Sequence, residues 1–290
     1  MSFVDDISVV IVNYNSEAVI TDCIEPLRAL ENIYIVDNGS DKKSIDFIKV
    51  DFPDIPLIEN KENLGYGRGF NVGLALVKTK YVLTINPDAR FSMADLESLH
   101  HAAETYPEVG IIAPLLDVPR MGVETWVMGP NELNHQRAEF VPEGPFCSWF
   151  VAGAVCLYRT SAMLEIGGFD DNIFLYNEDV DLCLRMHRAG YSLIYIAALV
   201  AFHINSASAP QTDKLHWRKD WNFAWGHLYI LNKYSGHDAA KKAAWKMIRD
   251  KGLKSLFYLL TFGKKRFIRD FAATHGAVSF LLGKKPAPTS

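Results

Sequence analysis

The sequence lacks the features that mark several classes of protein. Its four cysteines show no C-x-x-C spacing, which argues against a zinc site and against a disulfide framework. The longest uncharged apolar runs have 14 and 12 residues, fewer than the roughly 18 that a membrane-spanning helix needs. Acidic Asp5 and Asp6 precede the first apolar run, so we expect no signal peptide. What is present is a 290-residue chain with 49% hydrophobic residues, enough to bury a large core.

Charge is unevenly distributed along the chain. The net charge is −4, but residues 241–290 contain 12 Lys and Arg against 2 Asp and Glu. The first 240 residues therefore contain 18 Lys and Arg against 32 Asp and Glu. A basic C-terminal region on an acidic body predicts that this region contacts an anionic partner.

The first 90 residues alternate between two kinds of segment. Continuous apolar runs predict buried strands at 7–15, 32–40, 55–60 and 81–88. Segments with helical spacing lie between them, and the first begins at Ser16 as a predicted N-cap. This order predicts an α/β fold with a mostly parallel central sheet flanked by helices. From about residue 212 the pattern is helical and rich in aromatic and basic residues.

Polar side chains stand at the predicted carboxyl ends of these strands, where open parallel sheets bind their ligands. They are Asn13, Asn15, Asp37, Asn38, Asn63, Asn86 and Asp88. Asp37 fits two roles, because it could accept a hydrogen bond from a nucleotide base or cap the turn that follows it. Asp88 likewise fits a ligand of a divalent cation or a turn with Pro87 at its second position.

Three further motifs have alternative interpretations. The glycines of residues 63–73 follow G-x-G-x-G spacing, which does not match the dinucleotide motif and argues against a nicotinamide cofactor. They predict either a flexible loop or a helix start whose N–H groups approach a phosphate. Glu178, Asp179 and Asp181 predict either a general base or acids favoured at a helix N-terminus. His203 ends an apolar run, either as an ordinary histidine or as a metal ligand.

Taken together, six segments resemble, in the same order, the inverting family 2 glycosyltransferases of the GT-A fold, in particular their rhamnosyltransferase-like branch. The segments are VVIVNYNS, IVDNGS, ENLGYGRGFNVGL, LTINPDA, residues 151–191 and VAFHINSAS. They cover about residues 7–208. The resemblance implies a GT-A fold, followed here by a C-terminal helical basic extension.

The resemblance also implies a role for each matching residue. The residues expected at the donor nucleotide are Asn13, Asn15, Asp37, Asn63, Arg68, Asn71 and Asn86, with Asp37 on the base. Asp88 matches the last residue of the family's D-x-D motif, and His203 matches the histidine that completes the Mg²⁺ or Mn²⁺ site. Asn86 stands where that motif has its first Asp, which removes one charge. Asp179 matches the catalytic base, with Glu178 beside it.

These roles describe an inverting transfer. A cation at Asp88 would neutralise the leaving nucleotide diphosphate, and Asp179 would take the proton from the acceptor hydroxyl. Neighbouring Glu178 and Asp181 are expected to raise the pKa of Asp179, since like charges disfavour ionisation. The Q-x-x-R-W motif of processive synthases is absent from the sequence, which favours addition of a single sugar.

The predicted substrates follow from the same resemblance. The predicted donor is dTDP-rhamnose, with a UDP-hexose as the alternative, and the acceptor is a lipid-diphosphate-linked or polysaccharide glycan such as an O-antigen. No nucleic acid partner is expected. A sugar-nucleotide- or glycan-binding assembly protein is the alternative from another class, because Asn86 alters the metal motif. A nucleotidyltransferase would need a basic loop near the first strand, and VNYNSEA contains no Lys or Arg.

The basic C-terminal region contains Leu253, Leu256, Phe257 and Leu260 at i, i+3, i+4, i+7 spacing, with Lys and Arg around them. This pattern predicts a basic amphipathic helix that lies on an anionic bilayer, and the alternative is packing against the catalytic domain. We therefore expect a cytoplasmic protein on the inner face of the cell membrane. Its expected regions are a donor-binding half at 1–91, an acceptor and catalytic half at 92–210 and a helical region at 211–290.

Overall fold

The structure is a computed structural model that describes residues 3–119, 121–130, 132–138, 142–204 and 212–286. The chain divides into two compact units. The first contains the residues up to Phe169 and continues from Asp179 to the end of the last strand. The second contains Asp170–Glu178 and the helices that follow residue 212.

The described part of the first unit is built on a ten-stranded sheet and a separate two-stranded ribbon, β8 with β9. In chain order the strands are β1 (Ile7–Asn13), β2 (Ile33–Asp37), β3 (Leu57–Glu59), β4 (Tyr81–Ile85), β5 (Ala89–Arg90), β6 (Val109–Val118), β7 (Gly122–Glu124), β8 (Trp126–Val127), β9 (Gln136–Arg137), β10 (Pro145–Cys147), β11 (Val155–Arg159) and β12 (Ser192–His203).

Helices flank this sheet and make up most of the second unit. In chain order they are α1 (Ile20–Ile24), α2 (Lys42–Asp51), α3 (Tyr66–Leu74), α4 (Met93–Thr105), α5 (Thr160–Glu165), α6 (Glu178–Arg188), α7 (Asp213–Ser235), α8 (His237–Leu260) and α9 (Lys264–Leu281). Short 3₁₀ helices form at Phe3–Asp6 and Glu25–Leu27.

The large sheet has the strand order β10-β12-β6-β11-β4-β1-β2-β3. The four strands predicted from the first 90 residues are parallel neighbours, because β1 pairs with β2 and β4, and β2 pairs with β3. Strand β11 runs antiparallel between β4 and β6. All residues of β1 and β4 are buried, as expected for strands covered on both faces. The carboxyl ends of β1, β2 and β4 therefore lie along one edge of the sheet.

Two of the predicted helices have different bounds. Ser16 does not cap the first helix, because its hydroxyl donates to the side-chain oxygen of Asn13. The helix begins at Ile20 and ends at Ile24, where the chain continues as a 3₁₀ helix that contains Pro26. A proline has no N–H for the α-helical hydrogen bond, which explains the early end. Helix α3 ends at Leu74, whereas the helical spacing of residues 67–79 predicts an end at residue 79.

The second unit contains the long helices α7, α8 and α9, which are joined by short turns. Leu228, Ala244 and Ala277 form its fully buried core, with one residue from each of α7, α8 and α9. Asp170 accepts hydrogen bonds from Tyr229 (2.9 Å) and Lys233 (2.6 Å) of α7, which hold segment 170–178 in this unit. Among the described residues, no helix combines the length and the apolar character needed to cross a membrane.

Candidate functional site

The segment after β4 is a turn that also presents a carboxylate. The N–H of Ala89 donates to the carbonyl of Asn86 (2.9 Å), which closes the turn around Pro87 and confirms that prediction. Ala89 then pairs with His203 at the end of β12, because β5 and β12 are antiparallel neighbours. As a result Asp88 Oδ1 lies 3.2 Å from His203 Nε2, with the two side chains only 5% and 13% exposed. The turn and the predicted metal pair are compatible.

Asn86 lies beside this pair. Its backbone N–H donates to the carbonyl of Ala154 (2.8 Å), and its side-chain nitrogen is 3.4 Å from His203 Nε2. Carboxylate oxygen and imidazole nitrogen are ligands that Mn²⁺ accepts, and Mg²⁺ is commonly held by one or two carboxylates together with substrate phosphates. Asp88 and His203 therefore suit a divalent cation, which would take its remaining ligands from phosphate oxygens and water.

Asp179 lies against the backbone of Gly153. The N–H of Gly153 donates to Asp179 Oδ2 (3.1 Å), and a Cβ placed on Gly153 would lie 2.5 Å from Asp179 Oδ1. Only glycine permits this approach, because real Cβ atoms do not come so close to an oxygen. Burial raises the pKa of Asp179 to about 6, and the hydrogen bond from Gly153 acts in the opposite direction. The carboxylate is therefore a base suited to a pH above about 6.

The raised pKa of Asp179 was predicted, but its predicted cause was wrong. Repulsion by Glu178 and Asp181 was expected, whereas burial is the largest cause. Asp181 is fully buried and its carboxylate accepts a hydrogen bond from Arg185 Nε (2.6 Å), so its charge is compensated. Glu178 opens α6 and is 8% exposed, which also agrees with the alternative that these acids occupy a helix N-terminus.

Gly153 and Ala154 are connected by hydrogen bonds to the end of β4, to α3 and to α6. Asn86, at the end of β4, bonds to Ala154, and Asp179, in α6, bonds to Gly153. Tyr66, the first residue of α3, donates to the carbonyl of Gly153 (3.4 Å) and lies 2.7 Å from the Thr84 hydroxyl. Neither Tyr66 nor Gly153 was predicted from the sequence. Their signals were a tyrosine at the start of a glycine-rich helix and a glycine two residues before a buried strand.

Two side chains predicted at the donor nucleotide, Asn13 and Asp37, are held within the protein. Asn13 and Asp37 are both fully buried, and Asn13 Nδ2 donates to Asp37 Oδ2 (2.7 Å). The N–H groups of Gly39 and Ser40 donate to Asp37 Oδ1 (3.1 and 3.0 Å). The alternative in which Asp37 caps its turn is thus confirmed, and its contact with a base stays a prediction.

Two other predicted residues order the loops at this edge of the sheet. Asn15 has a φ of 52° and accepts a hydrogen bond from the N–H of Asp41 (2.8 Å). Asn63 accepts from the N–H of Gly65 (2.9 Å) at the start of α3 and from Asn38 (3.2 Å). Asn38, which the resemblance left without a role, connects these loops. The nucleotide-binding roles of Asn15 and Asn63 stay predictions.

Helix α3 contains the last two predicted nucleotide-binding residues. Arg68 is exposed, so its guanidinium is accessible to a ligand. The amide of Asn71 makes two hydrogen bonds of 2.9 Å with the backbone of Phe169, which gives it a structural role. The flexible-loop interpretation of these glycines was wrong, because they belong to a helix. A Cβ on Gly73 would lie 2.5 Å from Val10, so this glycine lets α3 pack closely on β1.

One cluster of metal-capable side chains occurs elsewhere in the described chain. Ligand atoms of Asp6, His100 and Glu104 lie within 4.8 Å of one another. Glu104 also accepts hydrogen bonds from Lys80 (2.6 Å) and Tyr81 (2.8 Å), so a cation already neutralises it. Asp6 precedes β1, whereas Asp88 follows the parallel β4, so the two groups lie at opposite edges of the sheet. We assign the cluster to the charge network at the amino-terminal edge.

Comparison with known proteins decides the family. The model of the family described as "Glycosyl transferase family 2" matches residues 8–167, more than half of the chain. The chain belongs to glycosyl transferase family 2. The match includes the ends of β1, β2 and β4 and the Gly153–Ala154 segment, and it ends before Asp179 and His203.

Two relatives of this family 2 chain are rhamnosyltransferases. N-acetylglucosaminyl-diphospho-decaprenol L-rhamnosyltransferase of Mycobacterium tuberculosis is 24% identical over 236 residues, which are 71% of this chain and 76% of that protein. Rhamnosyltransferase WbbL of Escherichia coli is 28% identical over 219 residues, which are 67% of this chain and 82% of that protein. The chain is therefore rhamnosyltransferase-like within its family.

A solved structure supports the fold. Mannosyltransferase PcManGT from Pyrobaculum calidifontis, in complex with GDP-Man and Mn²⁺, matches 97% of this chain and 88% of its own length with a TM-score of 0.56. Its sequence is 14% identical, so the likeness shows the fold alone. The predicted GT-A fold is confirmed.

Proposed function

We propose that the chain is a metal-dependent inverting glycosyltransferase of cell-surface glycan synthesis. In this proposal it transfers L-rhamnose from dTDP-rhamnose to a hydroxyl of a lipid-diphosphate-linked or polysaccharide acceptor. The observation that carries the proposal is the arrangement around Gly153 and Ala154. There Asp179, a buried carboxylate with a raised pKa, accepts a hydrogen bond from Gly153. The adjacent Ala154 accepts one from Asn86, which lies beside the Asp88–His203 pair. The rhamnosyltransferase relatives, one of them named for a diphospho-decaprenol substrate, support the choice of sugar and acceptor.

The leaving group is a nucleoside diphosphate, whose charge grows as the sugar bond breaks. Asp88 and His203 would hold a Mg²⁺ or Mn²⁺ ion, which when bound supplies positive charge to the diphosphate. Asn86 contributes a neutral amide beside them, where the usual motif has a second carboxylate. Exposed Arg68 in the first turn of α3 adds a cation that the diphosphate can reach in this proposal.

The acceptor hydroxyl must lose a proton as it attacks the sugar. Asp179 accepts that proton, and the hydrogen bond from Gly153 fixes the orientation of its carboxylate. Attack from the face opposite the diphosphate inverts the anomeric centre. Because the pKa of Asp179 is about 6, the base is ionised at neutral pH yet remains a stronger base than an ordinary aspartate.

Gly153→Ala is expected to lower kcat by about tenfold or more, because a misplaced catalytic group costs that much or more. The added Cβ would lie 2.5 Å from Asp179 Oδ1 and displace the base, while the Km for the donor changes little. Steady-state kinetics with varied donor concentration measures both constants. Gly252→Ala is the matched control, because its Cβ would have its nearest neighbour at 3.9 Å. Equal loss in both variants, or loss in Km alone, would contradict this role for Gly153.

Binding of dTDP-rhamnose with Mn²⁺ is expected to raise the Tm by several degrees, since a ligand at about 100 times its Kd stabilises the native state by about 2.7 kcal/mol. Thermal-shift measurements with dTDP-, UDP- and GDP-sugars test the donor. Arg68→Gln is expected to reduce the shift, and Lys78→Gln, an exposed cation beyond the other end of α3, is the control. A larger shift with a UDP-hexose would replace the donor. Binding without transfer to acceptor or water would favour a sugar-nucleotide-binding assembly protein.

With the lipid-diphosphate-linked form of the proposed acceptor, the reaction would take place at a membrane surface. We extend the proposal to a peripheral contact between residues 241–290 and the anionic inner face of the cell membrane. The excess of Lys and Arg in this region supports the contact.

A further inference from the structure

The C-terminal half of α8 has its large apolar residues on the outside. The side chains of Leu253, Leu256, Phe257, Leu259 and Leu260 are between 55% and 71% exposed. Its buried residue is Ser255, and Gly252 lies against Thr274 of α9. The buried residues of α9 are Asp270, Ala272, Ala273, Gly276, Ala277 and Ser279, and a Cβ on Gly276 would lie 2.7 Å from the backbone of Trp221 in α7. Helices packed in lipid have small residues between them and large apolar residues on the outside. Helices in water have their large apolar residues facing the core.

The turn after α8 exposes a further apolar side chain, and its residue has an unfavourable backbone conformation. Phe262 has a φ of 57° and is 95% exposed. The N–H of Gly263 donates to the carbonyl of Tyr258 (2.9 Å), which makes this a Schellman turn with Phe262 at the left-handed position. Glycine is the usual residue there, and a bulky side chain is disfavoured. Packing within the described chain does not repay this cost, because the ring is almost entirely exposed.

Positive charge surrounds these apolar residues. The sequence from 251 to 269 contains six Lys and Arg and no Asp or Glu. Three of these cations are engaged by acids, because Lys264 pairs with Asp213, and Lys251 and Arg269 pair with Asp270. The other three, Lys254, Lys265 and Arg266, are exposed. An apolar surface with a cationic border is complementary to the acyl chains and head groups of an anionic bilayer.

We propose that residues 253–262, named here the apolar tip, insert into the interface of an anionic phospholipid bilayer, with Lys254, Lys265 and Arg266 on the head groups. The biological role of this contact rests on the proposed function, because insertion would bring the enzyme to a lipid-linked acceptor. The observations that support insertion do not depend on that function. Insertion is shallow, because no described helix could cross the bilayer. In this setting Phe262 accepts a left-handed backbone because its ring is buried by lipid.

Phe262→Gly separates membrane binding from folding. Glycine suits a φ of 57°, so the variant is expected to unfold at the same temperature as the wild type or higher. Its partition onto vesicles is expected to fall about tenfold, because a large apolar side chain no longer enters the lipid. Co-sedimentation of the full chain with vesicles of phosphatidylcholine and phosphatidylglycerol measures the partition, with no nucleotide sugar or acceptor present. Val50→Ser is the control, since Val50 is 75% exposed on α2.

The charged border has its own arm in the experiment. Lys265→Gln with Arg266→Gln is expected to abolish the preference for phosphatidylglycerol over pure phosphatidylcholine vesicles, a preference that salt also weakens in the wild type. The proposal would be overturned if the wild-type protein bound neither kind of vesicle. It would also be overturned if the Phe262→Gly protein bound vesicles as the wild type does. Self-association that Phe262→Gly abolishes, without vesicle binding, would assign the tip to a second copy instead. A failed transferase assay would leave a positive vesicle result standing.

Discussion

Asp179→Asn is expected to reduce sugar transfer by about 10²–10⁴-fold, the contribution typical of a positioned general base. Asparagine keeps an oxygen that can accept the hydrogen bond from Gly153, so the local geometry survives while the basic group is lost. Binding of the nucleotide sugar should therefore remain within a few-fold of the wild type. Turnover assays and isothermal titration calorimetry measure the two quantities. Near-normal turnover in this variant would show that another group takes the proton.

The pH dependence of the wild type gives a second test of the same base. Because burial raises the pKa of Asp179 to about 6, kcat/Km is expected to rise tenfold per pH unit below 6 and to level off above it. The small remaining activity of Asp179→Asn should lack this limb. Asp51→Asn, at the exposed end of α2, is the control and should reproduce the wild-type profile.

The same carboxylate also links stability to pH. Its pKa is about 6 in the folded chain against an ordinary value of 3.8, so between these values the folded state binds more protons than the unfolded state. The free energy of unfolding therefore falls as pH rises through this window and stays lower above pH 6. Asp179→Asn removes this loss of unfolding free energy. A pKa shift of roughly two units limits the loss to about 3 kcal/mol. Its Tm should exceed that of the wild type at pH 8 and approach it near pH 4.

The sheet was predictable because its signals are local. Continuous apolar runs identified β1, β2 and β4. A strand buried on both faces needs apolar residues at successive positions, and β1 has this pattern. The turn at Pro87 was also readable, since proline fixes one backbone angle. Ser16 was misread because a hydroxyl at a helix-like start can bond to any nearby acceptor, and Asn13 is the acceptor it found.

The contacts that make the site are not local, and this limits what a sequence can reveal. Asp179 and Gly153 are 26 residues apart, and only the folded chain shows that one N–H and one missing Cβ accommodate the carboxylate. Burial, which sets the pKa of Asp179, is likewise a property of the fold. The cap role of Asp37 was visible as an alternative, but its hydrogen bond from Asn13 was not. Resemblance to the family supplied the residues, and the structure supplied their geometry.

The left-handed backbone of Phe262 shows a further limit. Sequence spacing identified the apolar residues of α8 but could not tell whether they face the protein or the solvent. That choice depends on how α8 packs on α9, where small residues occupy the contact and leave the large ones outside. A phenylalanine one residue before Gly263 gives no sign in the sequence that it, and not the glycine, takes the positive φ.

Asp88→Asn is expected to weaken Mn²⁺ binding in the presence of dTDP and to lower turnover by about 10²–10³-fold, since a metal ion supplies several kcal/mol of charge stabilisation. Asparagine is nearly isosteric with aspartate, and the turn is closed by the backbone groups of Asn86 and Ala89, so the fold should survive. Calorimetric titration of Mn²⁺ into the protein with dTDP, together with circular dichroism, separates loss of binding from loss of structure.

Asn86→Asp is the matched variant in the opposite direction. It restores the carboxylate that the D-x-D motif of the family has at this position, beside His203. A second negative charge next to Asp88 is expected to tighten Mn²⁺ binding, because carboxylates are preferred ligands of this ion. If Asp88→Asn bound Mn²⁺ as the wild type does, the ion would have to bind elsewhere. Glu104→Gln would then test the cluster of Asp6, His100 and Glu104, the other group of metal-capable side chains in the described chain. Opposite effects of the two substitutions at residues 86 and 88 would assign the cation to the turn after β4.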